Sequence, residues 1–202
     1  MFEFFSAVFD TMIGWEGLAA LLSVAYVYLA GKESQWCWPA AFISTAIYTA
    51  LFYGVNLQLD SLLQLYYMSM AVYGWWQWRR GFKAIPLAVS EWTLGRHLTA
   101  VAILLLPAFL LAEFGIGVLG TDYAYLDALT SVYAVFATYL IAKKILAGWI
   151  YFAVIDIISI YLYIIKGLDV TAGLFVVYTV FCFVNYRLWR REWTAGKIGA
   201  AA

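Results

Sequence analysis

Charge is scarce in this sequence: Asp, Glu, Lys and Arg supply 12% of its 202 residues, about half the share of a soluble globular chain. Hydrophobic residues make up 66%. That balance marks an integral membrane protein and excludes a soluble fold. The net charge is zero, so whole-chain charge says nothing about partners, and no nucleic acid is expected among them. Histidine occurs once, at His97, and the two cysteines, Cys37 and Cys182, lie far apart. Neither a disulfide nor a metal centre is expected from that inventory. Gly-rich phosphate loops, nucleophile elbows and two-histidine metal motifs are missing too, so neither an enzyme nor a cofactor is expected. Period-2 alternation is absent, which argues against a membrane β-barrel. The stretch MFEFFSAVFDTMIGWEG has no Lys or Arg and no small-residue cleavage site, so it does not read as a signal peptide. Its Phe2, Phe5, Phe9 and Met12 share a helical face, and residues 1–15 are expected to lie as a helix in the membrane interface.

Long apolar runs are plentiful. Spans of the length a bilayer requires, about 20 residues, are expected at Leu18–Gly31, Trp38–Val55, Leu62–Trp78, Leu98–Leu119, Ala128–Ala142, Leu146–Ile165 and Val170–Trp189. Pro39 stands at the start of the second, where its missing N–H is harmless. Pro107 lies inside the fourth, where a kink is expected. In a seven-span chain Lys32, Arg79, Arg80, Lys83, Arg96, Lys143, Lys144, Arg187, Arg190, Arg191 and Lys197 fall on one side, and Lys166 alone on the other. The positive-inside rule then places the N-terminus outside and the C-terminus in the cytoplasm. Trp36, Trp38, Trp76, Trp78, Trp149, Trp189 and Trp193 gather near the inner boundary as an aromatic belt.

The chain also repeats itself. Residues 16–80 align without a gap on 127–191, and 14 of these 65 positions are identical. Among them are Lys32/Lys143, Trp38/Trp149, Tyr67/Tyr178 and the endings Trp78-Arg79-Arg80/Trp189-Arg190-Arg191. Each copy holds three spans. The segment 81–126 supplies a fourth between them, and 192–202 forms a cytoplasmic tail. An odd number of linking spans restores the direction of travel, so the expected fold is all-α, seven spans in a 3+1+3 arrangement of parallel repeats. Repeats of this kind belong to transporters, with the substrate at the repeat interface near the midplane.

One acid stands in the middle of the sixth span. Asp156 costs at least about 2.5–3.5 kcal/mol at that depth, so it should face protein or a water-filled cavity. At helical spacing Trp149, Phe152, Asp156, Ser159 and Tyr163 form one stripe. An aromatic stripe with one carboxylate suits a flat cationic or hydrogen-bonding solute. Two other readings of Asp156 are open: a hydrogen bond to a neighbouring helix, or a proton relay in a symporter. The remaining candidates are Tyr48, the mate of Ser159; Gln64 and Tyr67 in the third span; and Asn185 in the seventh, which follows Phe175, Tyr178 and Cys182 at steps of three or four. Gly74 allows close approach on the third span. Aromatic residues at these spacings otherwise serve to pack helices together.

The segments WPAAFISTAIYTALFY (38–53), LQLYYMSMAVYGWWQWRRG (63–81) and KKILAGWIYFAVIDIISIYLYIIKGL (143–168), closed by YRLW (186–189), resemble the Pnu-type bacterial vitamin transporters. The resemblance covers residues 15–192. It implies a 3+1+3 helical fold, homo-oligomers, and facilitated diffusion across the bacterial cytoplasmic membrane. A cytoplasmic kinase would then trap the vitamin by phosphorylation. Nicotinamide riboside is the first substrate it implies. Thiamine follows, and other relatives carry riboflavin. By position, the pocket it implies surrounds Gln64 and the stripe Trp149, Phe152, Asp156, Ser159 and Tyr163.

Overall fold

In a bilayer each backbone N–H and C=O must be paired within the protein, and a helix does so inside its own segment. The computed structural model describes residues 2–54, 58–79, 87–119, 123–167 and 169–201. Seven helices fill nearly all of them: α1 (Phe2–Gly31), α2 (Cys37–Gly54), α3 (Gln58–Arg79), α4 (Leu94–Phe114), α5 (Ala124–Ala142), α6 (Gly148–Ile165) and α7 (Asp169–Ala201). Among the described residues, five of them, all but α2 and α3, are long and apolar enough to cross a membrane. The shortfall has a local cause: α2 carries Ser44, Thr45, Tyr48 and Thr49, and α3 carries Ser61, Gln64, Ser69 and Gln77.

Two helices outrun the expected spans. α1 is continuous from Phe2 to Gly31, so the expected interfacial segment and first span share one helix. No proline interrupts it, and the side chains of residues 2–13 lie outside the described residues. α7 continues past Trp189 through the tail to Ala201. α4 runs through Pro107 and is followed by a wider π turn over Gly115–Leu119.

The chain divides into two compact units, Met1–Pro86 and Leu87–Ala202. In the first, α2 packs against both α1 and α3. In the second, α4, α5, α6 and α7 pack in chain order, each against the next. The expected linking helix thus belongs with the second three-helix copy.

Within each unit the first turn of the repeat closes in the same way. Glu33 and Lys144, which the repeat aligns, both adopt left-handed backbone, with φ of 54° and 52°. The N–H of Ser34 reaches the carbonyl of Leu29 at 3.0 Å, as that of Ile145 reaches Leu140 at 2.9 Å. The N–H of Glu33 reaches Ala30 at 3.0 Å, as that of Lys144 reaches Ile141 at 2.9 Å. These paired 6→1 and 5→2 bonds make a Schellman cap, whose left-handed position normally holds glycine. Replacing Glu33 by glycine is therefore expected to stabilise the protein by about 1 kcal/mol, the cost of a Cβ in that backbone region. A raised unfolding midpoint of the Glu33→Gly protein in detergent is the measurement.

In the second unit the residues before α4 clasp this turn. The Ser90 N–H donates to the Lys144 carbonyl, and the Leu146 N–H to the Ser90 carbonyl, both at 2.9 Å. The start of α4, with Arg96, is thereby set beside the Lys143–Lys144 turn. At the other end of α5 and α6 the Lys166 ammonium bridges both carboxylate oxygens of Asp127 at 3.0 Å.

Candidate functional site

Asp156 lies two turns into α6 and is 5% exposed. Its hydrogen-bond partner is the thiol of Cys182 on α7, 3.5 Å from Oδ2. A thiol is a weak donor, and among the described residues no Lys, Arg or His pairs with this carboxylate. One buried acid therefore meets a neutral, weakly donating neighbour.

That contact is one step in a regular seam. Seven residues before Asp156, Trp149 meets Trp189 edge to face, with ring centroids 5.3 Å apart and planes at 83°. Seven residues after it, Tyr163 stacks on Phe175 at 5.2 Å and 29°. Each seven-residue step along α6 is answered by a seven-residue step back along α7, the heptad logic of two antiparallel helices. The carboxylate thus sits midway between an aromatic pair at the basic end and another at the far end. Tyr178 extends the latter, its ring edge-on to Phe175 at 5.9 Å.

The sequence stripe divides between two neighbours. Trp149, Asp156 and Tyr163 face α7, whereas Phe152 packs with Tyr151 against the cluster of Tyr133, Ala137 and Ile155 on the α5 side. A stripe built on alternating steps of three and four is wide enough to be shared in this way. Ser159 is buried on α6, and Asn185 is buried on α7 between Cys182 and Trp189. Tyr48, Gln64 and Tyr67 lie in the first unit, all half-buried. There Tyr48 stacks on Phe52 at 5.5 Å and 25°, and Tyr67 meets Tyr66 at 5.6 Å.

The first unit shows what the seam is without its acid. Trp38 meets Trp78 edge to face at 5.3 Å and 85°, matching Trp149 and Trp189. Thr45, the mate of Asp156, donates its hydroxyl to the carbonyls of Ala41 and Phe42 in its own helix at 2.8 and 3.1 Å. It therefore asks nothing of a ligand. Ser44 binds the Ala19 carbonyl at 2.8 Å and lies 2.7 Å from the Ser23 hydroxyl, tying α2 to α1. The indole N–H groups of Trp38 and Trp149 are both buried without a hydrogen-bond partner.

Glu113, at the C-terminal end of α4, accepts a hydrogen bond from the Tyr125 hydroxyl. His97 lies 3.3 Å through Nδ1 from the Tyr151 hydroxyl. Among the described residues no group of three His, Cys, Asp or Glu side chains could hold a metal.

The family model described as the nicotinamide mononucleotide transporter matches residues 13–191. The chain belongs to this family. The riboflavin/roseoflavin transporter RibM of Streptomyces davaonensis is 26% identical over 188 residues, covering 90% of this chain and 87% of RibM. The nicotinamide riboside transporter PnuC of Escherichia coli is 20% identical over 204 residues, covering 88% of this chain and 85% of PnuC. The crystal structure of the vitamin B3 transporter PnuC superposes with a TM-score of 0.70 at 21% identity, covering 92% of this chain and 86% of that one. The fold is thus that of the PnuC crystal structure, and the family is one of transporters.

Sequence reasoning singled out the α6 residues, but missed that Cys182, Trp189 and Phe175 answer them one by one. The available signal was the seven-residue step shared by both helices, which becomes visible once α6 and α7 are read as antiparallel partners.

Proposed function

We propose that the protein carries a flat, positively charged vitamin across the bacterial cytoplasmic membrane by facilitated diffusion, nicotinamide riboside first and thiamine as the alternative. The observation that carries this reading is the buried carboxylate of Asp156, which has a thiol for a neighbour and no basic partner among the described residues. A charge withdrawn from water needs a counter-charge, and a pyridinium or thiazolium ring supplies one. The relatives named for nicotinamide riboside and for riboflavin differ in this respect, since riboside is a cation and riboflavin's ring system is neutral. The half-buried pair Tyr163 and Phe175 offers a face for a flat ring, and cation–π attraction adds to stacking. Trp149, Phe152, Ser159, Tyr163 and Asn185 complete the assignment on α6 and α7.

Calorimetric titration of the detergent-purified protein with nicotinamide riboside, thiamine and riboflavin tests it. Binding of either cation with none of riboflavin is the expected result. Riboflavin binding alone would overturn it. The same carboxylate could instead carry a proton, which makes symport the second reading. Uptake into proteoliposomes that persists when a protonophore collapses the pH gradient supports facilitated diffusion, and its loss supports symport.

A further inference from the structure

The geometry points to an anionic phospholipid bound along the outer side of α4, in a groove that the cargo reading does not use. The groove has a volume of about 520 Å³ and is lined by Trp92, Thr93, Arg96, Thr99, Ala100 and Ile103, with Gly95 between them. Within its unit α4 packs mainly against α5, with His97 reaching Tyr151 of α6, and most of its remaining surface is open. Leu98 is 61% and Ile103 65% exposed.

The groove is polar at one end and apolar along its length. Arg96, Thr93 and Thr99 gather at the start of the helix. Arg96 makes no ion pair among the described residues, and the nearest acid in sequence, Glu91, is itself exposed. The Thr93 hydroxyl does not cap the helix, so it is available to an outside acceptor. A guanidinium beside two hydroxyls is the donor set for a phosphodiester. One and two turns further on, Ala100 and Ile103 continue into the exposed Leu106 and Leu110, a track for an acyl chain. A polar head and an apolar tail are thus presented in the order of a lipid.

Depth and charge agree. The clasp through Ser90 sets this end of α4 beside the Lys143–Lys144 turn, at the basic end of the unit. The positive-inside rule assigns such an end to the cytoplasmic leaflet, whose anionic lipids attract basic side chains at the surface. Trp92 sits at the groove's polar end, the level at which tryptophan anchors membrane proteins.

Native mass spectrometry of the full chain, released from neutral detergent with added phosphatidylglycerol or phosphatidylcholine, tests the proposal. The wild-type protein is expected to retain one phosphatidylglycerol and to discriminate against phosphatidylcholine. Arg96→Gln should weaken that retention about tenfold, the worth of one charge-assisted contact. Arg191→Gln, at the same end but outside the groove, should leave it unchanged. Thr99→Leu, which keeps the charge and removes a hydroxyl, should give a smaller loss. Equal retention by the wild-type and Arg96→Gln proteins overturns the proposal, as does equal retention of the two lipids. A second copy of this chain is the rival occupant. An oligomer that ignores phosphatidylglycerol and falls to monomers on Ile103→Glu would assign the face to self-association and overturn the lipid site.

Discussion

Asp156→Asn is expected to weaken binding of a cationic vitamin by roughly 30- to 1000-fold while leaving the protein at least as stable as before. Asparagine keeps the shape of the side chain, and its amide oxygen can still accept from the Cys182 thiol, so the change removes charge and little else. Opposite unit charges about 4 Å apart are worth about 4 kcal/mol at an effective dielectric of about 20. Desolvating the ring offsets up to about half of that, so about 2–4 kcal/mol remains, which converts to the stated range. Stability should move the other way. A carboxylate that is 5% exposed and paired with a thiol is an uncompensated burial, and its removal is neutral or favourable. The two readouts separate function from tethering. If Asp156 served only to hold α6 to α7 through Cys182, Asp156→Asn would lower the unfolding midpoint and spare the titration. Isothermal calorimetry beside thermal unfolding decides the matter, and an unchanged Kd for the cation would remove the basis of the proposed function.

Much of this fold was legible because bilayer physics leaves few options. Runs of apolar residues near 20 long have to be helices; where seven spans were expected, seven helices stand among the described residues, five of them long and apolar enough to cross a membrane. The gap-free repeat carried further: the two turns beside the paired Lys32/Lys143 close with matching Schellman bonds. What the repeat could not disclose was their backbone. Glu33 and Lys144 occupy positions that usually advertise themselves as glycine, so their φ values near 50° left no trace in composition. The continuity of α1 was hidden differently. Glu3, Asp10 and Glu16 break the apolar run as seen by hydropathy, yet none of them breaks a helix. At the candidate site, Asp156 was conspicuous because an acid in an apolar run carries a cost. Its setting was not, since periodicity names a face but not the neighbour against it. Phe152 went to α5 and Asp156 to α7, a division that only packing decides.

Gly74→Ala is expected to be the most damaging single-atom addition in the first unit, destabilising it by about 3 kcal/mol or more, the upper range for overpacking. A Cβ built on Gly74 falls onto Cε2, Cζ2 and Cη2 of the Trp38 ring. That ring is 1% exposed and held from two other directions, by Tyr26 at 5.8 Å and by Trp78 edge-on at 5.3 Å. It cannot withdraw without breaking one contact or the other. The methyl group would ordinarily help, because alanine is favoured over glycine in a helix by about 1 kcal/mol. Gly173→Ala in α7 measures that benefit cleanly, since a Cβ there meets nothing within 4 Å. The two substitutions should therefore have opposite signs in a denaturant titration of the protein in mixed micelles. Trp38→Phe beside Gly74→Ala should recover part of the loss, because the smaller ring vacates the space the methyl needs. Such recovery would mark the α2–α3 seam as a fit between one indole and one missing side chain. Equal stability of the Gly74→Ala and Gly173→Ala proteins would show that Trp38 has somewhere else to go. The counterpart of Gly74 in the second copy is Asn185, buried beside Trp189 on α7. The same helix position thus serves close packing in one unit and holds a buried amide in the other, about one turn along α7 from the Cys182 that bonds Asp156. Divergence between the copies at that position and at Thr45/Asp156 turns a duplicated packing seam into one with a polar interior.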